Sequence, residues 1–240
     1  MNGFELRSFP DAAALAQAAA ADWLEKVTAA HRAGLPHLAA LSGGRIAREF
    51  FSAVAATAQA GGVSFDSVHF FWADERCVPP ADSESNFRLA QERLLKPLRV
   101  SKDHIHRIRG EVEEQTATAE AEEALRRWAP RNGTGVPVLD LVFLGMGEDG
   151  HVASLFPEAL PEQSAAPWVY GAVTAPKPPS RRITLGYGPI AAARAAWVLA
   201  SGPGKERALQ ESLAPDGPTP LAEVLRRRAH TRIYTDIGAH

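Results

Sequence analysis

His151 closes a loop, Gly145-Met146-Gly147-Glu148-Asp149-Gly150, that follows the most apolar run of the chain, VLDLVFL at 138–144. A histidine on a Gly-rich loop at a strand end can reach a ligand and change charge near neutral pH. Asp149, two residues earlier, is placed to orient it. The pair has the make-up of a general base with its carboxylate. The same residues would also serve as a capping Asp and a surface His.

A second cluster follows the run SVHFFW at 67–72: Asp74, Glu75 and Arg76, then Val78-Pro79-Pro80, then Ser85-Asn86. Three charged residues directly after an apolar strand are costly unless they face solvent or a ligand. Asp74 beside Arg76 suits recognition of hydroxyls and of a developing oxyanion, with Asn86 as a further polar member; a solvated strand end with a local ion pair is the alternative. The third cluster is Ser42-Gly43-Gly44-Arg45, between an apolar run and a helix. Glycines let a backbone approach an anion, and a helix N-terminus offers free N–H groups. The stretch is neither GxGxxG nor a P-loop, because no GK[ST] follows, and a tight turn would need the same glycines. The fourth is a set of cations, Lys177, Arg181, Arg182 and Lys205, able to close around a phosphate. Each alone reads more readily as ordinary surface charge. No HExxH occurs and Cys77 is the only cysteine, so neither a metal site nor a disulfide is expected. The other seven histidines have no partner legible in the sequence and read as core or surface residues.

These clusters need strands and helices to position them. Helical spacing and stop signals predict helices over 11–32, 46–59, 83–95, 111–128, 205–213 and 221–228. Apolar and β-branched runs predict strands at 37–41, 67–72, 138–144, 168–173, 182–185, 195–200 and 232–235. The alternation implies an α/β fold: a Rossmann-like, mostly parallel sheet with helices on both faces. Ligands of such sheets sit beyond the C-terminal strand ends, at a switch in strand order. Each polar cluster follows a predicted strand.

The 240 residues suit a single domain, 1–240, with 45% hydrophobic and 22% charged residues. A formal net charge of −2 gives no reason to expect nucleic acid or an anionic membrane as partner. The N-terminal stretch lacks a basic segment followed by an apolar core, and no apolar run approaches the ~20 residues that span a bilayer. The chain is read as cytoplasmic, a monomer or weak homo-oligomer.

Five stretches occur in a fixed order: LSGG (41–44), FFWADERCVPPADSESNFRLA (70–90), LDLVFLGMGEDGHVASLFP (139–157), PKPPSRRITL (176–185) and GKERAL (204–209). In these the chain resembles the 6-phosphogluconolactonase family of the glucosamine/galactosamine-6-phosphate isomerase-like superfamily. The resemblance implies hydrolysis of a small-molecule sugar phosphate lactone, 6-phosphogluconolactone, to 6-phosphogluconate in the oxidative pentose phosphate pathway, with no metal or organic cofactor. It makes His151 the base for water, oriented by Asp149, with Arg76 or loop N–H groups on the oxyanion. Ser42, Gly43, Gly44, Arg45, Asp74, Asn86, Lys177, Arg182 and Lys205 become the substrate and phosphate contacts. Two departures stand out. The family often continues its SGG with Ser-Thr-Pro, where this chain has Arg45-Ile46-Ala47, and its TLT is here Thr184-Leu185-Gly186. Two other readings compete. An amino-sugar-phosphate isomerase or deaminase would carry a Glu five residues after the His, where Phe156 stands, and an aromatic in place of Arg76. A non-catalytic sugar-phosphate sensor would usually add a DNA-binding helix-turn-helix, of which the sequence has no sign.

Overall fold

The computed structural model describes residues 3–157 and 168–238. Six strands form one sheet in the order β1-β9-β8-β5-β2-β3, every neighbouring pair parallel. They are β1 (Gly3–Ser8), β2 (His37–Leu41), β3 (Val68–Trp72), β5 (Leu141–Gly145), β8 (Ala195–Ala200) and β9 (His230–Thr235). A second sheet of three antiparallel strands is ordered β4-β7-β6, from β4 (Asp74–Arg76), β6 (Tyr170–Thr174) and β7 (Arg181–Leu185). Seven helices connect the strands among the described residues: α1 (Ala12–Arg32), α2 (Arg45–Gly61), α3 (Asn86–Ala90), α4 (Glu114–Trp128), α5 (Tyr187–Ala192), α6 (Glu206–Leu213) and α7 (Pro220–Arg227). A π-helical turn, Gln91–Leu95, extends α3.

The inner strand β2 and the edge strand β3 are both buried at all five positions. That requires cover on both faces, the condition under which parallel sheets occur. The edge strand β1 instead alternates half-buried and exposed residues. Its six residues carry too short a period-2 signal to be read from sequence, and β1 was not among the expected strands. Nor was α5, whose Gly and Pro disguise a short helix. The charged run after β3 is itself a strand, β4, which leaves the main sheet to pair with β7.

Strand order places the switch point at β2, which has β3 on one side and β5 on the other. β2 and β5 pair only through Ala39 with Leu141 and Ala40 with Val142. Below this pair, the Asp140 carboxylate accepts the Leu38 N–H at 2.8 Å. Above it, Ser42 Oγ donates to the Phe143 carbonyl at 2.8 Å. The loops after β2 and β5 therefore open around one cleft.

Beneath the sheet, Trp23 of α1 lies edge-on to Phe143, centroids 4.8 Å apart. Its indole N–H donates to His37 Nε2 at 3.1 Å. His37 thus has a partner that its sequence position concealed. So do His69 and His106, whose rings are hydrogen-bonded at 3.1 Å, with Trp128 stacked on His69. Burial pushes His37 down to about 4; the Asp140 charge opposes it, and the charges of Lys26 and Arg194 add to it. Burial, then neighbouring histidine charge, likewise lowers His69 and His106 to about 4. A histidine held neutral in the fold binds its proton more readily when unfolded. Its stabilising effect is complete above the unfolded value of about 6.5 and is lost as pH falls toward 4. The denaturant midpoint should therefore fall steadily from pH 7 to pH 4. His37→Gln, which still offers Trp23 an acceptor, should flatten that slope; equal slopes in the two proteins would contradict the assignment.

Candidate active site at the sheet switch point

Ser42, Gly43 and Gly44 follow β2 and run directly into α2. An added Cβ on Gly43 would sit 1.8 Å from Asn86 Oδ1 and 2.5 Å from its Cγ, so only glycine lets Asn86 approach. Gly44 caps α2 without a side-chain hydrogen bond, which leaves the first N–H groups of the helix without a side-chain acceptor beside the cleft. Arg45 is the first helical residue, and its guanidinium reaches toward Gly202 of the loop after β8, 4.0 Å from an ideal Cβ there. Lys205, from that same loop, lines the cleft too. Burial lowers the Lys205 pKa, and the nearby Arg45 charge lowers it further. Among the described residues neither cation has a carboxylate within ion-pair distance.

The opposite wall comes from β4 and β7. Their register sets Arg76 across from Arg182 and Asp74 across from Thr184. Asp74 is buried; its Oδ2 accepts from Ser154 Oγ at 2.7 Å and its Oδ1 from Asn86 Nδ2 at 3.3 Å. Glu75, on the other face of β4, is buried under the start of α3. It accepts from Arg76 N at 2.7 Å, Asn86 N at 2.8 Å, Phe87 N at 2.7 Å and Ser85 Oγ at 3.0 Å. Burial raises its pKa, opposed by those backbone N–H groups. Glu75 thereby ties the strap between β4 and α3 and sets where Asn86 stands. Arg76 donates from Nη1 to the Glu84 carbonyl at 2.7 Å, while its buried Nε has no protein partner. Arg182 donates to the carbonyls of Pro179 at 2.9 Å and Lys177 at 3.4 Å. Burial and then the Arg76 charge lower its pKa.

His151 enters from the loop after β5. Its Nδ1 lies 2.5 Å from Asp149 Oδ1, and its backbone N–H donates to the same oxygen at 3.2 Å. Burial pushes the Asp149 carboxyl up, but the hydrogen bond from His151, the charge of that ring and backbone N–H groups outweigh it and hold the group at about 2. An ionised Asp149 fixes the proton on Nδ1 and leaves Nε2 as the acceptor. Gly147 is the second glycine that close approach demands, because a Cβ there would meet His151 Nδ1 at 2.0 Å. From behind, Leu221 N at the start of α7 donates to the Gly150 carbonyl at 3.1 Å and holds the loop.

The cleft therefore gathers Ser42, Gly43, Gly44, Arg45, Asp74, Arg76, Asn86, His151, Arg182 and Lys205. Asp149 stands behind His151. Lys177 is not among the lining residues: its exposed Nζ pairs with Glu148 of the His151 loop at 3.9 Å, and its backbone carbonyl accepts from Arg182. Gly145, Met146, Gly147, Ile46 and Ala153 also line the cleft. Three of them belong to the loop that sequence had singled out; Ile46 and Ala153 carry no chemical signal. The positioning roles of Ser154 and Thr184 depend on pairings 80 and 30 residues apart, with no local signature. Among the described residues no three His, Cys, Asp or Glu side chains gather as a metal site would need, and no helix is long and apolar enough to cross a membrane.

Gly43→Ala tests the packing that closes the cleft. Forcing Asn86 away from Gly43 and Asp74 should cost about 1–3 kcal/mol of unfolding free energy, the usual range for an overpacked site. An unchanged denaturant midpoint would mean that Asn86 yields freely.

The family model for glucosamine-6-phosphate isomerases/6-phosphogluconolactonase matches residues 10–234. A 6-phosphogluconolactonase of Streptomyces coelicolor is 33% identical over 232 residues, covering 94% of this chain and 89% of that protein. A 6-phosphogluconolactonase of Treponema pallidum is 42% identical over 121 residues, and the match spans about half of each chain, 50% and 49%. In the solved structures, 6-phosphogluconolactonase from Trypanosoma brucei superposes with a TM-score of 0.82 at 26% identity, covering 98% of this chain and 96% of that one. A match over nearly the whole sequence, with the cleft at the sheet's switch point, leads to one conclusion: the chain belongs to the glucosamine-6-phosphate isomerase/6-phosphogluconolactonase family.

Proposed function

We propose that this protein hydrolyses 6-phospho-D-glucono-1,5-lactone to 6-phospho-D-gluconate, the second step of the oxidative pentose phosphate pathway. The observation that carries the reading is the meeting, in one cleft, of an Asp149-oriented imidazole with Arg45, Arg182 and Lys205, which among the described residues have no carboxylate within ion-pair distance. The first suits activation of water and the second suits a phosphate remote from the reacting carbon. Relatives named 6-phosphogluconolactonase support the same substrate.

In this reading, His151 Nε2 takes a proton from water as the water oxygen attacks the lactone carbonyl. Asp149 stabilises the imidazolium so formed. Charge builds on the carbonyl oxygen, and Arg76, with a buried Nε free of protein partners, supplies the donor. The tetrahedral intermediate collapses by breaking the bond to the ring oxygen, which receives the proton held on His151. Asp74 and Asn86 hold sugar hydroxyls. The phosphate lies against the Gly43–Gly44 backbone, Arg45, Lys205 and Arg182, where its binding energy orients the reacting end. No metal or organic cofactor takes part, and the reading includes a cytoplasmic setting and a monomer or weak homo-oligomer.

Two experiments test it. His151→Ala should lower turnover by ~10²–10⁴-fold with little change in KM, the usual effect of removing a general base. The measurement is lactone loss above the spontaneous rate, and near wild-type turnover would remove His151 from the mechanism. Arg182→Ala, Lys205→Ala and Arg45→Ala should each weaken capture of the phosphorylated lactone by about 1.5–3 kcal/mol, the range for a hydrogen bond to a charged group. With the unphosphorylated lactone the loss should be much smaller. A variant that loses the same factor on both substrates does not touch the phosphate.

A further inference from the structure

Phe156 is buried, yet among the described residues it is the only buried hydrophobic side chain larger than alanine that lies outside the continuous apolar core. Its ring packs on the cleft residues instead. The centroid lies 4.8 Å from that of the His151 imidazole, tilted by 42°. On the same ring rests the Arg182 guanidinium, its Cζ 5.6 Å from the centroid. Phe156 is brought there by a fixed turn. Leu155 N donates to the Val152 carbonyl at 3.0 Å, Ser154 N to Thr184 Oγ1 at 3.1 Å, and Ser154 Oγ to Asp74 Oδ2 at 2.7 Å.

We propose that Phe156 is a positioning residue for His151, holding the imidazole in line with Asp149 and keeping the Arg182 guanidinium from contacting it. The proposal rests on His151 acting as the general base. An imidazole that must gain and return a proton needs a fixed ring plane. A neighbouring guanidinium would oppose its positive form. An aromatic ring meets both needs, because it is rigid, apolar at the edge of the contact and attractive to cations at its face. Gly147 supplies the complementary close approach, with no side chain to displace the ring.

The charged groups around the imidazole are Glu148 and Asp149 on its own loop, Asp74 and Arg76 on β4, Arg182 on β7, and Arg45 and Lys205 across the cleft. All of them are retained in the Phe156 variants, and Arg182 alone among them rests on the Phe156 ring. Phe156→Leu and Phe156→Met keep an apolar side chain and remove the ring face. Each should lower kcat by about 10-fold or more while KM stays within about 2-fold, the signature of a misplaced reacting group. The acid limb of kcat/KM, which reports the base in the free enzyme, should move to lower pH by about half a unit. The shift follows because the positive imidazole loses both its aromatic neighbour and its hold on Asp149. Phe156→Tyr, which keeps the ring, should keep the wild-type limb. Folded Leu and Met variants with an unmoved limb would overturn the proposal, as would a Tyr variant that shifts like them. Failure of both Leu and Met variants to fold would make Phe156 a packing residue and overturn it equally. Wild-type turnover in His151→Ala is a separate outcome, which removes the general base itself.

Discussion

Two neighbouring parallel strands, β2 and β5, stay paired for only two residues on each side before their backbones diverge. Everything at the site follows from that divergence. A parallel sheet gathers its ligand contacts where adjacent strands send their loops apart. Here one loop becomes the N-terminus of α2 and the other the turn that carries His151. The divergence is bounded by side chains: Asp140 satisfies the Leu38 N–H at one end, and Ser42 satisfies the Phe143 carbonyl at the other. Buried backbone groups that lose a ladder partner must find another, and these two substitutes let the strands open without leaving unmet donors or acceptors.

The charges of the cleft are distributed unevenly, and the unevenness has chemical content. Its carboxylates are occupied from within the protein. Asp74 is held by Ser154 and Asn86, Glu75 by the N-terminus of α3 and Ser85, and Asp149 by His151. Among the described residues, Arg45, Arg182 and Lys205 have no carboxylate within ion-pair distance, and Arg76 has only Glu84, at 3.5 Å. Arg45 and Lys205 face the same space and raise each other's electrostatic cost. Arg76 and Arg182 sit side by side across β4 and β7 and do likewise. Juxtaposed like charges in a partly desolvated cleft are unfavourable in themselves. They become favourable when an anion arrives, so the protein carries a standing bias toward anionic ligands.

The imidazole lies beside this cationic field. Asp149 offsets it on one side, and the apolar Phe156 ring packs against both His151 and Arg182. Close backbone approach at Gly147 completes the setting. The imidazole thus meets one carboxylate, one ring and one glycine, each from the same stretch of chain after β5.

Much of this was legible in the residue order. Apolar runs and stop signals gave the principal strands and helices, because burial on both faces leaves unbroken hydrophobic stretches such as Val68–Trp72 and Leu141–Gly145. The Gly-rich loops, the Asp149–His151 spacing and the polar run Asp74–Arg76 named most of the cleft, because local chemistry concentrates at strand ends. Edge strand β1 and short helix α5 were missed, since six residues hold too little periodicity. What the tertiary structure alone decided were the pairings between distant segments. These include Arg76 beside Arg182, Ser154 on Asp74, Asn86 over Gly43 and Trp23 on His37, as well as Phe156 against His151 and Arg182 and the pairing of Lys177 with Glu148. The physical reason is that residue type and spacing report what a segment buries and how it bends. Which side chain meets which is set by sheet order and register, and these depend on contacts between residues far apart in the chain.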